Sequence, residues 1–210
     1  MEEWVKLLFP YFQENGLRGL TVDTIAQFLQ KSKATIYEYF QTKEEIIAQV
    51  VDWKLAQIGT VKQIIQDEEK GFKERCQAML HHQTEHISDI SNLFLADLRS
   101  LYPSQWAKIE KFLDDLAQLT GAFYRQGIAQ EAFHAIHPGI LVLNDQLFFR
   151  ALTNPDFLPL KALPYARLLT ISCSSSFLAS CGRHKKSGQA HWDLPLACGA
   201  GNKKAMAVLQ

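Results

Sequence analysis

Within eleven residues this 210-residue chain places two lysines, three hydroxyls and a methyl: Lys33, Ala34, Thr35, Tyr37, Tyr39 and Lys43. Thr35, Tyr37, Tyr39 and Lys43 carry side chains suited to phosphate oxygens, contacts that fix register on a duplex without reading its sequence. Lys43 also falls in the first turn of a predicted helix, where backbone N–H groups favour an anion. Lys33 and Ala34 open the preceding predicted helix, within reach of base edges. From there a lysine can pair with guanine O6 and N7, and a methyl can meet the thymine methyl.

A second constellation is His81, His82 and His86. His82 and His86 stand one turn apart, with Cys76 and Glu85 near in sequence, so two ligands of a zinc site are available. No third ligand has a recognisable spacing, and the set reads as a polar helix face or the lining of a pocket. No metal and no cofactor is expected. His134 and His137 precede Pro138 and read as caps. Catalysis finds no nucleophile elbow, phosphate loop, HExxH or paired carboxylates. The run Ser172 to Ser176 lies in a predicted helix, where serines bond back to a carbonyl or permit close packing.

The elements that must position the first set are legible. Thr21 is a good N-cap, and Val22, Ile25, Ala26 and Leu29 follow at helical spacing. Ser32 restarts a helix whose buried side is Ile36 and Phe40. Thr42-Lys43-Glu44-Glu45 has the form of a capping box and begins a third helix through Ile46, Ile47, Val50 and Val51. Two short helices about a tight turn make a helix-turn-helix.

At these residues the chain resembles the TetR family of bacterial transcription regulators. Thr21, Ile25-Ala26, Ser32, Thr35, Tyr37, Tyr39-Phe40, Lys43 and Ile46 stand at the family's spacing. The turn departs from the family's Ala-Gly-Val and reads Leu29-Gln30-Lys31, so a non-glycine must take the turn conformation. Pro10 falls inside the expected first helix, predicting a kink or a frayed first turn. The resemblance implies that Thr21, Lys33, Ala34, Thr35, Tyr37, Tyr39 and Lys43 face a double-stranded DNA operator. It also implies a helical C-terminal domain that dimerises through its last two helices and binds a small effector, with repression as the expected activity.

Composition bounds the rest. At 47% apolar residues the chain can bury a substantial core, but its net charge of zero carries no nucleic-acid signature. Residues 1–47 hold five basic and seven acidic side chains, so charge placement must do what net charge does not. Lys31, Lys33 and Lys43 cluster by the second short helix, whereas Glu2, Glu3 and Glu14 lie on the first helix. Cys76, Cys173, Cys181 and Cys198 lack paired spacing and read as reduced thiols. The acidic N-terminus and the lack of a long apolar run predict a cytoplasmic protein with no membrane partner.

Beyond the head every segment reads as helix, so the predicted class is all-α: a helix-turn-helix domain over 1–47, a helical ligand-binding and dimerisation domain over 48–181, and an irregular basic tail over 182–210. Helices are predicted over 72–88, 90–101, 104–125, 140–152 and about 163–179. The helix from Pro138 to Leu152 is apolar nearly all round, and the next is rich in small residues. Leu143, Leu147, Phe148, Leu169, Ser172 and Ser176 are therefore the expected interface of a homodimer built as a four-helix bundle. His82, His86, Phe94, Tyr102, Trp106 and Phe123 are the expected lining of a pocket for a hydrophobic or amphipathic effector. The competing reading is a helical small-molecule-binding dimer whose DNA head is degenerate.

Overall fold

The computed structural model describes residues 2–87, 89–132, 137–143 and 147. Eight helices are found there: α1 Glu2–Asn15, α2 Val22–Phe28, α3 Lys33–Tyr39, α4 Lys43–Gly59, α5 Val61–Gln66, α6 Phe72–Ile87, α7 Asn92–Leu101 and α8 Pro103–Ala129. The backbone is helical again at 138–143 and at 147, and no described residue is in a strand. The fold is all-α.

Local signals account for most boundaries. Thr21, Ser32, Thr42 and Ser91 each accept a hydrogen bond from the backbone N–H three residues on, capping α2, α3, α4 and α7. The expected box at Thr42 closes one residue early, because Glu45 Oε2 accepts from the N–H of Gln41 at 2.7 Å rather than from that of Thr42. Pro103 occupies the first turn of α8, where its missing N–H is no loss.

Pro10 neither ends α1 nor frays its start: the helix runs through it from Glu2. The ring lies on the exposed face, so the carbonyl it leaves unbonded is open to water. The buried stripe of α1 is Val5, Leu8, Phe9 and Phe12; of the face Trp4, Leu7, Leu8, Tyr11 and Phe12 that helical spacing predicts, Leu8 and Phe12 are buried, Trp4 and Tyr11 pack partly buried on the core, and Leu7 is exposed. The helix opened at Thr42, whose apolar stripe predicts an end at about Gly59 or beyond, ends at Gly59, and the Thr60 hydroxyl donates to the Gln57 carbonyl at 2.8 Å. The last long helix passes its expected end at Arg125, because Gly127 is buried within it and the stop falls at Glu131.

Two cores result. One joins α1–α4 to α7 and the start of α8: Leu8, Phe12, Ile25, Ile36, Phe40, Ile47 and Val50 pack with Phe94, Leu98, Tyr102 and Ile109. The other lies among α5, α6 and α8, with Val61, Ile65, Phe72, Met79, Leu116, Phe123 and Leu141. The head is thus continuous in packing with α4, α7 and the start of α8.

Candidate nucleic-acid interface

The turn between α2 and α3 sets the angle at which α3 is presented. Gln30 takes the left-handed conformation at φ +53°. Lys31 N–H donates to the Ala26 carbonyl at 2.9 Å and Gln30 N–H to that of Gln27 at 3.1 Å. This is the paired Schellman closure of a helix end, with glutamine at the position glycine usually holds. The expected strain is therefore real and confined to one residue.

From that turn α3 buries Ile36 and hands Phe40 to the core, which leaves Lys33, Ala34, Tyr37 and Tyr39 exposed and Thr35 half-buried. Tyr39 rests edge-on against Trp4 of α1 at 5.0 Å between ring centres, fixing the far end of α3 to the first helix. The Thr35 hydroxyl lies 2.8 Å from that of Ser32, within the cap of α3. Thr21 and Thr24 bond reciprocally at the start of α2.

The two lysines are both engaged. Lys33 Nζ lies 2.9 Å from Asp23 Oδ2, an exposed pair bridging the starts of α2 and α3. The bond to Asp23, then its charge, raises the Lys33 pKa and keeps the ammonium protonated. Exposed pairs of this kind are worth little, so the ammonium is free to exchange partners. Lys43 is half-buried and donates to the Leu20 carbonyl at 3.1 Å, pinning the start of α4 to the residue before the α2 cap. It thus positions the helix pair as well as carrying charge near it.

Sequence reasoning missed Asp97. Its carboxylate is buried, and Oδ2 accepts from the N–H of Leu17 at 2.8 Å and of Arg18 at 3.1 Å, while Oδ1 accepts from Arg18 Nε at 2.9 Å. A Cβ added at Gly16 (φ +70°) would lie 2.7 Å from that same Oδ2, so glycine is required there on both counts. An acid between Leu95 and Leu98 on an apolar helix was the available signal. Gln13 Oε1 accepts from the Ser91 N–H at 2.6 Å, and the buried Lys54 reaches Asp89 at 2.7 Å, so α7 and its approach are tied to the head and to α4 at three points.

The expected effector lining falls in two places. Phe94, Tyr102 and Trp106 pack in or against the shared core, with Phe94 6.2 Å from Phe9 and 6.4 Å from Phe12. Phe123 belongs to the second core, and His82 and His86 stand on α6, their rings 4.4 Å apart. His82 is buried, and its Nε2 lies 2.6 Å from the Thr60 hydroxyl. Desolvation, then the charge of His86, lowers its pKa. Among the described residues no group of three or more His, Cys, Asp and Glu is placed to hold a metal, and no helix is long and apolar enough to cross a membrane. Of the expected dimer residues, Leu143 and Leu147 are exposed, whereas Phe148, Leu169, Ser172, Ser176 and the tail over 182–210 lie outside the described residues.

Residues 11–50 match the family profile of bacterial regulatory proteins, tetR family. Over these residues the chain resembles the TetR family. The match covers the last five residues of α1, both short helices and the start of α4. An uncharacterised HTH-type transcriptional regulator of Bacillus subtilis (strain 168), YvaF, is 21% identical over 135 residues, covering 64% of this chain and 70% of the relative. The TetR-family regulator PfmR of Thermus thermophilus superposes with a TM-score of 0.60 at 20% identity, over 81% of this chain and 95% of that one. AibR, solved with isovaleryl coenzyme A and operator DNA, gives a TM-score of 0.60 at 16% identity, over 84% and 97% of the two chains. At such identities the likeness to these structures is one of fold.

Proposed function

We propose that the chain acts as a homodimeric repressor that binds a palindromic operator and leaves it when a small apolar or amphipathic effector binds the second domain. The observation that carries this reading is the weld between the two parts: Asp97 on α7 holds the loop after α1, and Phe94, Leu98 and Tyr102 fill the core of the head. A shift of α7 therefore moves the head as a body, which is what a ligand-dependent change in the spacing of two heads requires. Two recognition helices must stand about 34–36 Å apart to enter successive major grooves. An effector favouring another spacing then releases DNA by population shift.

The dimer is supported by Ile140, Leu143 and Leu147, a stripe left 58%, 52% and 57% exposed in the single chain while Leu141 between them is buried. Such a stripe on one face is what a symmetry mate covers. AibR supports pairing an acyl-type ligand with operator DNA in this fold. The pairing of Lys33 with Asp23 and the acidic balance of the head favour the degenerate-head reading instead. A gel shift with duplexes selected from a random palindromic pool decides between them. Retention of a preferred duplex supports the regulator, and failure to retain any leaves the ligand-binding dimer.

A further inference from the structure

Arg75, near the start of α6, is only 5% exposed. A buried guanidinium is strongly unfavourable unless it is paired, and the usual partner is a carboxylate. Among the described residues no ion pair includes Arg75. Asp67 feels its charge, but that carboxylate is held by Lys70 at 2.9 Å. Nη1 donates to the Ile65 carbonyl at 2.9 Å, while Nε is sealed from solvent with no hydrogen-bond partner. The guanidinium lies over the ring of Phe72 at 4.2 Å and near that of Phe123 at 5.3 Å.

The same face of α6 carries a second unmet group. Met79 and His82 follow Arg75 at four and seven residues, and both are buried. The Thr60 hydroxyl donates to the Gln57 carbonyl, so it accepts from His82 Nε2–H. That fixes the tautomer and leaves His82 Nδ1 as a buried acceptor without a partner. One helix face thus holds an unmet donor among aromatic rings and an unmet acceptor two turns on. A core serving only stability leaves few such groups.

We propose that Arg75 is the anion anchor of the effector site and that the effector is an amphipathic monocarboxylate. Its acid bonds the Nε edge of the guanidinium, and its apolar body lies against Phe72, Met79 and Phe123. The side-on edge of arginine matches the two oxygens of a carboxylate. A single buried cation balances one negative charge, which selects a monoanion over a phosphate dianion. This inference rests on the effector reading above and specifies its ligand.

The test uses the full chain and a panel of straight-chain and aryl monocarboxylates, each beside the alcohol of the same skeleton, in thermal-shift and gel-shift titrations. At least one acid is expected to bind about tenfold or more tightly than its alcohol and to release the selected duplex. Arg75→Met should abolish that preference while the unliganded variant melts no lower than the parent, because it removes a buried unpaired charge. The assignment is overturned if no acid is preferred over its alcohol, or if Arg75→Met retains the preference. A strongly lowered melting temperature in the variant together with no acid preference in the parent makes Arg75 a structural cap of Ile65. Alcohols that release DNA as well as acids defeat the carboxylate and spare the effector reading. Absence of any duplex binding by the unliganded parent defeats the regulator reading itself.

Discussion

Lys33 sits where a lysine can read a guanine, yet Asp23 holds it. Asp23 also places a negative charge near the expected path of the phosphates. Asp23→Asn should therefore tighten duplex binding several-fold, with little change in melting temperature, since an exposed pair contributes little stability. Lys33→Ala should change which sequence is preferred in a selection experiment. Lys43→Ala should weaken all sequences about equally and also lower stability, because its ammonium bonds the Leu20 carbonyl. His82 supplies a prediction in pH. Its ring is buried, with Thr60 on one side and His86, Glu85 and His81 along α6, and its pKa lies below the ordinary 6.5. The unfolded chain then binds the proton more readily than the folded one, so the stabilising effect of neutral His82 is complete above about pH 6.5 and is lost as pH falls below it. Melting temperature measured from pH 7.5 to 5.5 should drop less steeply in His82→Gln than in the parent.

Among the helices, the capping signals were legible from sequence: Thr21, Ser32 and Thr42 each begin the helix they were expected to begin. Helix ends were harder, because the left-handed residue that closes α2 is Gln30 and the one that closes α8 is Glu131, neither of them a glycine. Closing a helix this way costs about 1 kcal/mol more than with glycine. Gln30→Gly should therefore raise stability by up to ~1 kcal/mol in denaturant titration while leaving duplex binding intact. The face of α1 was legible in part: Leu8 and Phe12 are buried as the spacing predicts, but Leu7 is exposed and Phe9, which packs on Phe94 of α7, is buried in addition to Val5. Contacts between elements distant in sequence left little signal. Nothing near Gly16 announces that the oxygen beside it comes from Asp97, and nothing near Arg75 announces that it lacks an acid. Asp97→Ala strands the buried N–H of Leu17 and should cost about 3 kcal/mol in the same titration. Asp97→Asn keeps one acceptor and should cost less.

At the scale of the whole molecule the class and the reader were legible, because the pattern is local and capped at each start. The residues expected to line one effector pocket, two histidines and four aromatics, fall in two separate places of the fold. The fold sends Phe94 and Tyr102 into the core shared with the head, and keeps His82 and His86 apart from them on α6. The proposed dimer belongs to this scale too. Leu147→Glu should give monomers or aggregates in sedimentation and abolish operator binding although α3 is untouched, since an obligate interface of this kind buries upwards of ~2,000 Å². The central claim is that α3 is a working reader, and salt tests it most directly. The affinity of the full chain for a selected palindromic duplex, measured across a series of salt concentrations, should fall log-linearly and steeply as phosphate contacts release counterions, with a slope of about −0.9 per contact. Lys43→Ala should reduce that slope by about one. An affinity that does not change with salt, or no measurable affinity for any palindromic duplex, would contradict the account.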